Sequence, residues 1–166
     1  ANQLIGNVLY NTSILGYFRQ TFVMDIDNEN DTKFQFGNPE NTFHFYYKNF
    51  TSSSFIEPED FDLAINFYQK ALSLDKNKED QARILFQIAS AEQGKYYQFE
   101  NSNRKEIKYE DKEYEAKSNA EQARLDIIKN TKYRSAFANL KKNYFDTKEV
   151  KDLKSSCLYF QYYMNK

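Results

Sequence analysis

"PEDFDLAINFYQKALSLDKNKEDQARILFQIASAEQGKYYQF", residues 58–99, decides the fold. Pro58 followed by Glu59 and Asp60 reads as a helix start, because proline fits the first turn and carboxylates suit the positive end of the helix dipole. From there Phe61, Ala64, Ile65, Tyr68, Ala71 and Leu72 recur at helical spacing, which predicts a helix to about Asp75. Asn77 is placed to cap a second helix, with Ala82, Leu85, Phe86, Ala89 and Tyr96 on one side, running to about Phe99. So short a connector makes the two helices antiparallel neighbours.

The same reading extends in both directions. Ile5, Val8, Leu9 and Thr12 predict a helix from Asn2 to about Ser13; Gly16 turns the chain, and a short helix follows over Tyr17 to Met24. Residues 25–57 have no period and are rich in Asp, Asn and aromatics, so they read as an irregular insertion. Residues 100–118 are the most charged stretch, expected as a linker, a mobile loop or a solvated helix. Helical pattern returns at "AEQARLDII" and continues through Tyr133, Phe137, Leu140 and Tyr144. Asp146, with Glu149 as reciprocal partner, is the expected cap of a last helix carrying Val150, Leu153, Cys157, Phe160 and Met164, and these last two helices are expected to form a hairpin that also takes Tyr133 into its core.

Composition narrows the alternatives. At 166 residues the length fits one domain, and Pro 2 and Gly 4 leave too few turn residues for a many-stranded sandwich or barrel. The 14 Tyr and 15 Phe make the core aromatic. Twenty-three Lys and Arg balance 24 Asp and Glu, which gives no general attraction for a polyphosphate and disfavours nucleic acid as a partner. No apolar run approaches the length of a membrane span, and a single Cys excludes an internal disulfide.

Candidate chemical sites are few. Asp25, Asp27, Glu29 and Asp31 alternate like calcium ligands, but the sixth position holds Asn30 where the loop needs Gly, and the twelfth holds Phe36 where it needs Glu. His44 has no second ligand at metal-binding spacing, and Cys157 lies on the seam of Leu153 and Phe160, where a small apolar role is expected. The sequons at Asn11, Asn30 and Asn49 are common matches in an Asn-rich chain. No catalytic constellation, metal site or cofactor site is found, and the expected role is non-catalytic.

Ile5-Gly6-Asn7-Val8-Leu9-Tyr10 resembles the first helix of a tetratricopeptide repeat, with its apolar-Gly pair followed by polar, small and aromatic positions. Ala64, Tyr68 and Ala71, followed by "LSLD", match the second helix of that family, and Leu85 matches the next first helix, with Phe86 where the family has Gly. Ile5 and Leu85 are 80 residues apart, so two periods of about 34 leave about 12 for an insertion. The tail "YRSAFANLKKNYFDTKEVKDLKSSCLYFQYY" resembles the end of large tetratricopeptide-like proteins of Bacteroidetes. The resemblance implies an all-α fold of antiparallel helical hairpins stacked as an α-solenoid, in one domain over 1–166 that begins at a repeat boundary of a longer protein. It also implies a protein-binding or scaffold module of a larger assembly; a periplasmic or outer-membrane-associated location is a separate expectation.

In that family the first helices line a concave groove, which makes Gln3, Asn7, Tyr10, Asn11, Arg83, Gln87 and Ser90 the groove candidates. Asn7 matches the asparagine with which some members clamp a peptide's terminal carboxylate, and Gln3 stands where those members carry Lys. A second expectation is a cell-envelope accessory domain that stacks exposed aromatics of residues 25–55 on sugar rings.

Overall fold

The computed structural model describes residues 1–13, 61–109 and 112–164. These residues form seven helices and no strand: α1 (Asn2–Asn11), α2 (Phe61–Leu74), α3 (Lys78–Asn103), α4 (Tyr114–Lys132), α5 (Ser135–Asn143), α6 (Lys148–Ser156) and α7 (Leu158–Met164). The expected turn at Gly16, helix over 17–24, insertion over 25–57 and start at Pro58 lie outside the described residues, as do the acidic alternation, His44 and the sequons at Asn30 and Asn49.

Three helices pack in succession, α1 on α2 and α2 on α3. The expected face of α2 is the packed one, since Phe61, Ala64, Tyr68 and Ala71 are buried. Two of its rings lie where a neighbour has no side chain. An added Cβ at Gly6 of α1 would stand 2.6 Å from the Tyr68 ring, and one at Gly94 of α3 would stand 2.5 Å from the Phe61 ring. Each glycine costs its helix up to about 1 kcal/mol against alanine, and the close aromatic contact offsets that cost. Because Tyr68 is buried and cannot swing away, Gly6→Ala should already be unfavourable, contrary to the usual gain from alanine in a helix. We expect Gly6→Leu to destabilise by about 1 to 3 kcal/mol and Gly6→Ala by a smaller amount in thermal melts. A melt unchanged by leucine would mean that α1 does not sit on Tyr68.

α3 is the spine. Asn77 caps it as expected, accepting from the backbone N–H of Glu79 at 2.9 Å and of Asp80 at 3.4 Å. The helix extends past Phe99 to Asn103, into what reads as the charged stretch. Two of its carboxylates cap other helices. Glu79 accepts from the N–H groups of Lys148 (2.9 Å) and Glu149 (3.3 Å) at the start of α6. Glu92, itself buried, accepts from the Ser135 hydroxyl and from the N–H of Ala136 (3.1 Å) at the start of α5. The first-turn donors of a helix have no partner inside it, and the carboxylates also meet the positive dipole end.

The C-terminal part corrects four expectations. Thr147, not Asp146, caps α6, its hydroxyl accepting from Val150 N–H at 3.3 Å, while Asp146 pairs with Lys78 at 2.6 Å. Tyr133 ends α4 and packs on Tyr96 and Phe99, with ring centroids 5.9 and 5.8 Å apart, rather than joining the Phe137 core. The run from Val150 to Met164 is two helices, broken at Cys157, whose backbone is extended. α5 packs chiefly on α3, and α6 on α7, so the expected hairpin is replaced by docking on the spine. Phe137, Leu140, Val150, Leu153 and Phe160 still share one core with Ala64, Tyr68 and Leu85, and Cys157 is half-buried against it.

α4 is held at the far end of α3. Arg124 donates to Asn103 O at 2.9 Å, and Glu121 accepts from Lys105 N–H at 3.0 Å. The Arg124 hydrogen bonds and that backbone N–H hold the Glu121 carboxyl at about 2, well below the usual carboxylate range. Among the described residues no helix is long and apolar enough to cross a membrane.

Candidate functional site

Five of the seven groove candidates come together between α1 and α3. Gln3 and Asn7 are one turn apart on α1, so both face the same neighbour. Asn7 Oδ1 accepts from Gln87 Nε2 at 2.8 Å, and Gln87 Oε1 accepts from Gln3 Nε2 at 3.1 Å. Three side-chain amides therefore run head to tail across the two helices. One turn further along, Tyr10 lies near Ser90, whose hydroxyl donates to Phe86 O at 3.1 Å. Burial pushes the Tyr10 phenol up, and the nearby Ser90 hydroxyl acts against that shift.

Arg83 and Asn11 are placed differently. Arg83 is exposed and turned to carboxylates, 2.9 Å from Asp80 and 3.8 Å from Glu149. Asn11 closes α1 half-buried and has a partner of its own. Its sequon is a poor acceptor for modification, because Ser13 is buried and its hydroxyl donates to Tyr10 O at 2.6 Å.

One member of the network was hidden in the sequence. Tyr68 reads as a core residue of α2, yet its hydroxyl donates to Asn7 Oδ1 at 3.0 Å. Burial drives its phenol far above the ordinary value, so it remains a neutral donor at physiological pH. The only hint was tyrosine at a position that packing alone would fill with phenylalanine. The exposed apolar residues of α1 are equally unexpected: Ile5 and Val8, read as the packed face, point outward, and Val8 is 62% exposed. Gly6, Leu9 and Tyr10 face the core in their place, because the close approach to Tyr68 selects the glycine side.

Chemically the network is neutral. Amides and phenols of this kind neither gain nor lose protons near pH 7, so the site offers hydrogen bonds to a bound molecule without a charge. A buried polar cluster, Glu92, Gln93 and Arg134, is an internal joint between α3 and α5, with Arg134 donating to Gln93 Oε1 at 2.6 Å. Burial pulls the Arg134 guanidinium below its ordinary value, and the nearby Glu92 charge opposes that pull. Among the described residues no group of three or more His, Cys, Asp or Glu is placed to hold a metal ion.

No protein-family model, curated protein or solved structure matches this chain.

Proposed function

We propose that this chain is a tetratricopeptide-like helical-repeat module that binds another polypeptide and serves as a non-catalytic scaffold piece of a larger assembly. The observation that carries the reading is the meeting of Gln3, Asn7 and Gln87 across α1 and α3, which puts polar side chains of two alternate helices on one surface. The succession α1, α2, α3, with a ring of α2 seated on a glycine of each neighbour, supports the stacked-hairpin arrangement that the resemblance implies. Every amide in the network can serve as both donor and acceptor, which suits a polypeptide better than a reaction.

Site-specific photo-crosslinking tests the proposal. A benzophenone side chain at Arg83, beside the network on α3, should form polypeptide adducts in an extract of the source cells, and one at Lys154 on α6 should not. Both positions are exposed, so neither substitution disturbs a core. Equal adducts from the two positions, or none from Arg83, would overturn the groove as the binding surface.

A further inference from the structure

We infer that the joint of α3, α5 and α7 binds one small inorganic anion of chloride size, held by Arg134 and Gln93 beside the paired hydroxyls of Tyr97 and Tyr159. The inference stands apart from the protein-binding reading and uses none of its residues.

Four side chains from three helices meet here. Gln93 and Tyr97 lie one turn apart on α3, so they share a face. Arg134, at the start of α5, donates to Gln93 Oε1 at 2.6 Å, and Tyr159 of α7 meets Tyr97 hydroxyl to hydroxyl at 3.0 Å. Arg134 and Gln93 are only 5% and 8% exposed.

The joint is rich in donors that lack acceptors. Arginine can only donate, so Gln93 must turn Oε1 toward it and Nε2 away; reversing this amide would set donor against donor. Nε2 is nonetheless fully buried without a partner, the only such side-chain atom among the described residues. The Tyr97 hydroxyl lies near the amide without hydrogen-bond geometry. Arg134 makes its one hydrogen bond to Gln93 and lays the guanidinium over the Phe137 ring at 4.9 Å. Its remaining N–H groups are not sealed in, so the guanidinium meets solvent along one edge. Glu92, the neighbouring charge, spends its two oxygens on Ser135 and Ala136. One of the two paired tyrosine hydroxyls keeps a hydrogen free to donate.

A guanidinium taken out of water without an ion-pair partner is costly, and so is a buried N–H without an acceptor. Water brings as many donors as acceptors and no charge. A halide accepts from every side and neutralises Arg134. Tyr159 is 53% exposed, so its ring can turn outward and admit the ion to Nε2, while Phe160 keeps α7 in the core. A joint closed until one ring turns suits a single-atom ion rather than a phosphate.

The test melts the full chain in sodium chloride and in sodium gluconate at equal ionic strength. Chloride at ten times its dissociation constant should raise the melting temperature by about 3 to 6 °C over gluconate. Binding itself is read from the broadening of the chloride-35 NMR line by the protein. Gln93→Glu keeps an oxygen for Arg134 and places the missing charge inside the joint. It should abolish the broadening and the chloride stabilisation, with a melt in gluconate at or above that of the wild type. Crystals of the wild type grown in bromide need no variant, and their anomalous signal should peak between Arg134 and Gln93. Equal wild-type melts in the two salts, chloride effects that persist in folded Gln93→Glu, or bromide found only elsewhere on the surface overturns the site.

Discussion

Leu153→Ala is expected to lower the free energy of unfolding by about 2 to 5 kcal/mol. The nine-residue helix α6 presents only Val150 and Leu153 as buried side chains; Lys148, Lys151, Asp152, Lys154, Ser155 and Ser156 are exposed. So short a helix is not stable by itself, and its place depends on those two anchors. Leu153 belongs to the same core as Phe137, Leu140 and Phe160, so alanine leaves a cavity that short helices on both sides must absorb. Leu153→Met keeps the volume and should cost less than about 1.5 kcal/mol. Urea unfolding of the two variants measures the difference, and a loss near zero for alanine would place that face in solvent.

Removing the carboxylate of Glu92 should be comparably severe, at about 3 kcal/mol for Glu92→Ala. No side chain of the N-cap residue, Arg134, caps α5, so Glu92 takes that role from α3, receiving the Ser135 hydroxyl and the Ala136 N–H. Ala136 and Arg134 are buried, so a lost acceptor cannot be replaced cheaply by water. Glu92→Gln retains one acceptor oxygen but loses the charge that meets the helix dipole, and should fall between wild type and alanine. Hydrogen exchange gives a local readout. Amides in the first turn of α5 should exchange faster in Glu92→Ala, and unchanged protection there would show that α5 is capped by something else.

Several features were legible before any fold was known. The Phe61, Ala64, Tyr68 and Ala71 face, the Asn77 cap and the long α3 follow from local rules, since periodicity and capping need only residues a few positions apart. The groove candidates were found through family resemblance, and the structure brings Gln3, Asn7 and Gln87 into one network while turning Arg83 to its own carboxylates.

Tertiary structure alone decided the rest. Periodicity shows which residues share a face of α1, but covering is decided by the neighbour, and the Tyr68 ring fits over Gly6 while Ile5 and Val8 stay outside. The rhythm from Val150 to Met164 suits one helix, yet the chain breaks at Cys157, and Phe160 reaches the common core from a separate helix. Glu79 and Glu92 read as ordinary charges of a long helix and become caps only when α6 and α5 arrive with open N–H groups. Asn7 likewise finds its partners in Tyr68 and Gln87, 61 and 80 residues away. Hydrogen bonds across such separations leave no local pattern, because neither partner is chosen for the helix it sits in; each is chosen for the group that folding places opposite it.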